Sequence, residues 1–253
     1  MTRDWIIPSW HGPSRVRAVF TTRNGGVSTG PAKSMDVGAA HATAADLAGA
    51  IGENRRRLRA LLPSDPVWLS QVHGRETALV DGGNAPAMRE SPPQADAAVT
   101  RTPGVVLTVR TADCLPVLLA DREGSVLGVA HAGWRGLAGG VLDAAVAALR
   151  VPAHDIAAWI GPGIGAAAFE VGADVRTAYC DADARCAPHF TPLREGKWLA
   201  DLAGLARQRL TALGVTDIAF DPSSCTFTDT DRFFSYRRDK RCGRMALAAW
   251  LDA

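Results

Sequence analysis

Apolar and polar positions alternate with different periods along the chain, and each change of period marks an element. Residues 16–22 read as a strand, followed by a glycine-rich loop at Arg23-Asn24-Gly25-Gly26. Thr43 with Asp46 three residues on has the form of a helix N-terminal capping box. Leu47, Ile51, Leu58 and Leu62 then continue a helical stripe to about residue 62. The middle of the chain holds short apolar runs at 105–110, 115–119 and 126–130, with a turn at Glu123-Gly124 between the last two; these read as buried strands. Leu137, Val141, Ala145 and Leu149 return to helical spacing, so a helix is expected from near Gly136. A further strand is expected at Ala157–Ile160, helices near 172–180 and 201–213, and a closing strand at 244–251. The Pro-rich stretch 85–95 reads as a loop, and no boundary divides the chain, so residues 1–253 are expected to form a single domain. Strands and helices are mixed without strict alternation, which predicts an α+β or mixed α/β fold with mixed sheets and not a Rossmann fold.

Composition narrows the class. Of 253 residues 47% are hydrophobic, enough for a sizeable core. A net charge of +2, spread along the chain, argues against a nucleic-acid or membrane surface. The run Arg55-Arg56-Arg57 reads as the solvated face of a helix. Five cysteines without a Cys-x-x-Cys pair argue for a reducing compartment, and the N-terminus lacks the apolar run of a signal peptide. A cytoplasmic location is therefore expected.

Three residues carry candidate chemistry. His131 stands where a buried strand meets a glycine-flanked turn, Ala132-Gly133-Trp134-Arg135-Gly136. There a helix N-terminus and Arg135 suit an anion. Cys114 lies between apolar runs in Thr111-Ala112-Asp113-Cys114-Leu115-Pro116, beside an acid that needs a partner if buried. His73 lies in Gln71-Val72-His73-Gly74. Alone, His131 points to function, whereas Cys114 reads more readily as a small buried hydrophobe and His73 as a loop histidine. Together, two imidazoles and a thiolate make the ligand set of a zinc site with one open position. A metal-free alternative uses Cys114 as nucleophile and His131 as base. The metal site requires His73; the dyad does not.

At these residues the sequence resembles the laccase-domain family, also described as polyphenol oxidase, peptidoglycan editing factor or purine nucleoside phosphorylase. The resemblance rests on Phe20–Ser28, Trp68–Gly74, Ala95-Asp96-Ala97, Thr111–Val117, His131–Gly136, Gly161–Gly165, Phe169–Gly172 and Phe233–Asp239, in this order. It implies an α/β/β/α layered fold and one metal ion held by His73, Cys114 and His131, usually zinc, with copper proposed for some members. It implies phosphorolysis of adenosine, inosine and methylthioadenosine, with adenosine deaminase activity beside it. Phenol oxidation and editing of peptidoglycan precursors are the family's other assigned activities; a Cys114–His131 hydrolase would suit the latter. Six histidines and no His-x-His pair argue against a multicopper cluster, so phosphorolysis is the favoured expectation. Purine nucleoside and phosphate are then the expected partners.

Further candidates follow from that expectation. Arg23, Arg135 and Arg237 are expected to hold phosphate, Tyr236 to line the nucleoside pocket, and Asp113 to handle a proton. Glu170 reads as a helix N-terminal charge. The segment Phe233–Asp239 reads equally as a strand with aromatic packing or as a pocket rim. Where the family commonly has Ser-Leu-Asn-Leu-Gly, this chain has Ser34-Met35-Asp36-Val37-Gly38, so Asp36 is a candidate substrate contact that departs from the family pattern. The altered stretch Ala40–Ala44 follows it.

Overall fold

The computed structural model describes residues 4–38 and 44–253, so the Thr43 cap and most of the altered 40–44 stretch lie outside the described residues. Strand β1 (Val16–Phe20) leads to helices α1 (Ala44–Ala48) and α2 (Ala50–Arg59), then to β2 (Pro66–Val67), β3 (Thr77–Val80), α3 (Ala85–Glu90) and β4 (Ala97–Thr100). Next come β5 (Val106–Thr111), β6 (Leu115–Asp121), β7 (Leu127–Ala132), α4 (Trp134–Ala138), α5 (Val141–Leu149) and β8 (Ile156–Ile160). The last part holds β9 (Glu170–Gly172), α6 (Ala173–Cys180), β10 (Phe190–Arg194), β11 (Lys197–Ala200), α7 (Leu202–Ala212), β12 (Asp217–Phe220), α8 (Tyr236–Asp239) and β13 (Met245–Leu251).

These strands form a four-stranded sheet of order β1-β13-β5-β2, a six-stranded sheet of order β12-β8-β6-β7-β4-β3, and a small sheet β10-β11-β9. Both large sheets are mixed: β2 runs parallel to β5 but β13 antiparallel to it, and β12–β8 and β3–β4 are parallel pairs flanking antiparallel β6 and β7. The mixed-sheet expectation holds.

Side-chain alternation builds the layers, because successive residues of a strand face opposite sides. On β13, Met245, Leu247, Ala249 and Leu251 enter a core shared with Leu118 of β6 and Leu127 and Val129 of β7, so the two large sheets pack face to face. The intervening Ala246 and Ala248 face outward, onto Leu58 of α2, Leu62 and Trp68. On the far side, Val117 and Leu119 of β6 and Ala130 of β7 meet Val141, Leu142, Ala145 and Leu149 of α5 and Leu205 of α7. Three interlayer cores thus stack as helix, sheet, sheet, helix. Burial on both faces explains why β5, β6 and β7 read as continuous apolar runs in sequence.

Several local expectations change. The helix expected from Gly136 begins at Trp134 and stops at Gly139; Gly140, at φ 90°, restarts it as α5, a backbone conformation that favours glycine. The stripe through residue 62 is two helices, interrupted at Gly49. The 85–95 loop contains α3, opened by a proline near its first position. Phe233–Asp239 is not a strand: Phe233 and Phe234 are fully buried anchors, and Tyr236–Asp239 is one helical turn. Of the Arg55–Arg57 run only Arg56 is well exposed, because α2 lies flat on the sheet and Arg55 stacks 4.4 Å from the Trp68 ring. Glu170 lies on β9 and pairs with Arg194 at 2.6 Å.

Candidate metal centre

The strands of the six-stranded sheet bring His73, Cys114 and His131 to one end of that sheet. His131 is the penultimate residue of β7 and pairs in register with Pro116 of β6, so Cys114, just before β6, falls beside it. One ligand atom from each of the three lies within 4.8 Å of the others. Cys114 Sγ is 3.8 Å from His73 Nε2, and the two imidazole rings stand edge to face with centroids 4.8 Å apart. A tetrahedral zinc with nitrogen at about 2.0 Å and sulfur at about 2.3 Å sets its ligands roughly 3.5 Å apart, so this donor set could hold a metal with small adjustments. Among the described residues it is the only group of its kind.

Asp96 holds the centre together. It is fully buried at the start of β4, and its carboxylate accepts backbone N–H bonds from Val72 (3.0 Å), His73 (3.0 Å) and Gly74 (2.7 Å). It also accepts from His131 Nδ1 at 2.8 Å, while its carbonyl accepts the His131 N–H at 2.7 Å. Burial pushes the Asp96 carboxyl up, but these donors outweigh it and hold it below the usual carboxylate range. An ionised Asp96 only accepts, so the Nδ1 proton stays on His131 and Nε2 is the nitrogen left to bind a metal or to take the thiol proton. The same bonds hold His73 in the left-handed region at φ 61°.

Gly133 is required by close approach. A Cβ there would sit 2.7 Å from Cys114 Sγ and 2.9 Å from His73 Cδ2, inside the triad. At Gly136 a Cβ would meet the Gly74 carbonyl at 2.8 Å. The glycine turn after β7 thus lets α4 lie against the His73 loop.

Burial works against ionisation of Cys114 and of His131, yet each is shifted towards its charged form. The neighbouring imidazoles pull the Cys114 thiol down, and the thiolate with Asp96 pushes His131 up. The pair is built to carry a thiolate, which is the form that binds metals.

A cavity of about 590 Å³ opens over the triad, lined among others by Gln71, Trp134, Phe169 and four arginines: Arg110, Arg135, Arg237 and Arg244. Tyr236, about half exposed, stands at its rim. Arg135, Tyr236 and Arg237 are thereby gathered on one cavity with the triad. Arg23 and Asp36 are not among its lining residues. The Arg23 guanidinium donates to the carbonyls of Lys33 and Thr230 and stacks on Phe234, while Asp36 accepts from the backbone N–H groups of Gly38 and Arg244. Asp113 lines the cavity at φ 89°, but both its oxygens are engaged, by the Thr226 hydroxyl at 2.7 Å and the Arg237 N–H at 2.6 Å.

Sequence reading assigned no role to Asp96, Arg110 or Arg244. For Asp96 a signal existed: an acid between Ala95 and Ala97, heading a strand that is buried throughout. For the arginines no local pattern separates them from solvated surface residues.

A mixed α/β layered protein with one His-Cys-His group beneath an arginine-lined cavity is the class that fold and site define. The chain belongs to the family described as multi-copper polyphenol oxidoreductase laccase, whose model matches residues 17–252. It is 48% identical over 249 residues to a Pseudomonas aeruginosa protein named purine nucleoside phosphorylase, covering 98% of both chains. It is 47% identical to the Escherichia coli purine nucleoside phosphorylase YfiH, covering 97% of this chain and 98% of that one. A crystal structure of the Neisseria meningitidis protein NMB0706, 42% identical, superposes with a TM-score of 0.90 over 99% of this chain and all of that one. Among the described residues, no helix is long and apolar enough to cross a membrane.

Proposed function

We propose that this chain is a zinc-dependent purine nucleoside phosphorylase, acting as a single catalytic domain over residues 1–253. Adenosine, inosine and methylthioadenosine would each yield a free base and a pentose 1-phosphate, with adenosine deamination as a side activity in the same cavity. The observation that carries this reading is one cavity combining the triad, aromatic walls and several guanidiniums; its size, about 590 Å³, suits a nucleoside with a small anion. The names of the relatives support it.

His73, Cys114 and His131 would hold the zinc, which supplies Lewis-acid chemistry for the deamination when bound. Trp134, Phe169 and Tyr236 offer faces on which a purine can lie, and they exclude water from the reacting bond. As the C1′–N9 bond breaks, the purine takes the bonding electrons and phosphate forms the new C1′–O bond; the proton that phosphate gives up neutralises the base. Guanidiniums keep the phosphate in place during this exchange. Asp113, with both oxygens engaged, fits a positioning role: it ties the Cys114 turn to Arg237. We place the protein in the cytoplasm, where its five free cysteines stay reduced; neither nucleic acid nor membrane enters this reading.

A second reading has one observation in its favour. The depressed Cys114 thiol beside His131 suits a thiol hydrolase of cell-wall precursors. One experiment separates the two: metal content and adenine release from adenosine, with and without phosphate, for wild type and His73→Ala. Phosphate-dependent release with one zinc per chain, both lost in His73→Ala, is the expected result. A metal-free wild type whose activity survives His73→Ala overturns the phosphorylase reading in favour of the thiol.

A further inference from the structure

The cavity has two ends on two sheets. The triad sits on the six-stranded sheet. At the other end, Arg110 is the penultimate residue of β5, Arg244 immediately precedes β13, and β13 pairs with β5 so that Ala246 faces Arg110 across the ladder. Both arginines line the cavity.

Among the described residues, this end gathers Arg55, Arg110 and Arg244 with Asp36. Arg110 is 6% exposed, its guanidinium 5.6 Å from the Trp68 ring, and Arg55 stacks on the same ring. Arg55 and Arg244 both repel Arg110, and Asp36 attracts it; burial and that repulsion pull Arg110 down to about 10. Arg55 and Arg244 both draw the Asp36 carboxylate towards ionisation, against burial, which pushes it up. Grouping cations in a half-dry wall is costly unless an anion joins them.

Arg244 has donors to offer. Its side-chain bonds, to the carbonyls of Cys242 and Gly243 and to Cys242 Sγ, all leave from Nη1. Among the described residues Nε and Nη2 have no hydrogen-bond partner, and the guanidinium makes no ion pair. The N–H of Arg244 is pinned by Asp36 Oδ1 at 2.8 Å. Asn54, fully buried, fixes the Asp36 loop in turn by donating to the Asp36 carbonyl at 2.8 Å. The base of the arginine is fixed, and its guanidinium lies 5.7 Å from the Tyr236 ring with the Nε–Nη2 edge left to a ligand. By contrast Arg135 is exposed, and Arg237 Nη1 donates to the Glu170 carbonyl at 2.5 Å.

We propose that Arg244, backed by Arg110, forms the phosphate subsite of the cavity, which takes a phosphate dianion at the four-stranded-sheet end while the purine lies towards the triad. This rests on the phosphorylase reading for its substrate but not for its existence as an anion site. The Nε and Nη2 edge of a guanidinium matches two oxygens of a phosphate in a fork. Asp36 acts as a positioning residue for Arg244, which gives the chain's departure from the family pattern at that position a physical role.

The test uses full-length protein with inorganic phosphate as probe, in wild type, Arg244→Ala, Arg244→Gln and Arg135→Ala. Wild type is expected to gain thermal stability with millimolar phosphate, as any ligand of the folded state produces. In Arg244→Ala that gain disappears and KM for phosphate rises about 10- to 100-fold, while KM for adenosine changes by less than about threefold. Arg244→Gln keeps a donor for the Cys242 and Gly243 carbonyls; a melting point near wild type without phosphate, and the same loss of phosphate response, separates binding from folding. Adenosine 5′-monophosphate replaces adenosine plus phosphate in a second arm. If Arg244→Ala weakens only the nucleotide, or leaves phosphate KM unchanged while Arg135→Ala raises it, the assignment is overturned. If wild type releases no base but phosphate still stabilises it through Arg244, the phosphorylase reading fails and the anion subsite stands.

Discussion

His131 Nδ1 lies 2.8 Å from Asp96 Oδ1, and the same carboxylate accepts the backbone N–H of His73 at 3.0 Å. One buried acid therefore sets the tautomer of one candidate ligand and the backbone of another. Replacing it with Asn removes the charge and turns one oxygen into a donor that faces N–H groups. Asp96→Asn is expected to lower zinc affinity about 10- to 100-fold, the usual scale for an outer carboxylate of a ligating histidine. Competition with a chromophoric chelator measures it; unchanged affinity would sink the positioning role.

Gly133→Ala places a methyl against Cys114 Sγ and His73 Cδ2. The expected result is a folded protein with little bound metal, because the intrusion is confined to the triad. Circular dichroism with metal analysis checks both halves. Normal zinc content in the variant would show that the His73 loop can yield.

Metal retention has a signed pH dependence. Metal binding needs a thiolate, so protons compete as pH falls. The neighbouring imidazoles, acting against burial, depress the Cys114 thiol, which moves that competition to lower pH than for an ordinary cysteine. Zinc is expected to remain bound through neutral pH and to leave on acidification. Cys114→Ser, whose hydroxyl stays protonated, is expected to release zinc already at neutral pH. Equilibrium dialysis across a pH series reads both.

Asn54 meets four partners from a fully buried amide: it accepts from the Val27 N–H, and its two Nδ2 protons are shared among Ser28 Oγ, the Ser34 carbonyl and the Asp36 carbonyl. Asn54→Ala strands these groups, at about 1–3 kcal/mol for each one left buried and unpaired. Denaturant unfolding is expected to show a loss of roughly 3 kcal/mol or more; a loss below about 1 kcal/mol would mean that water enters and replaces the amide.

Legibility in the sequence followed the length scale of the physics. Strands such as β6 and β7, apolar on both faces, announced themselves, and so did the stripe of α5, because burial acts on every residue of the element. The two-residue β2 and the half-exposed β12 gave no such signal. Among the site residues, His73, Cys114 and His131 stand in distinctive turns and could be grouped through a known family pattern. Asp96 acts across 23 residues to His73 and 35 to His131, and Arg110 meets Arg244 only through the β5–β13 ladder. Such partnerships are properties of topology, which no local window contains. Arg23, expected to hold phosphate, has its guanidinium on the carbonyls of Lys33 and Thr230, contacts set by loops distant in sequence.

Strand β13 lies inside its sheet, between β1 and β5, although it follows both of them in the chain. During synthesis, β1 and β5 must therefore wait, with their inner edges open, until residue 251 has cleared the ribosome. Arg244 and Arg110 come together only when β13 takes its place beside β5, so one wall of the cavity forms with the closing of that sheet. Until then those edges are open to pairing with other chains, and the cell must keep the unfinished sheet apart from its neighbours.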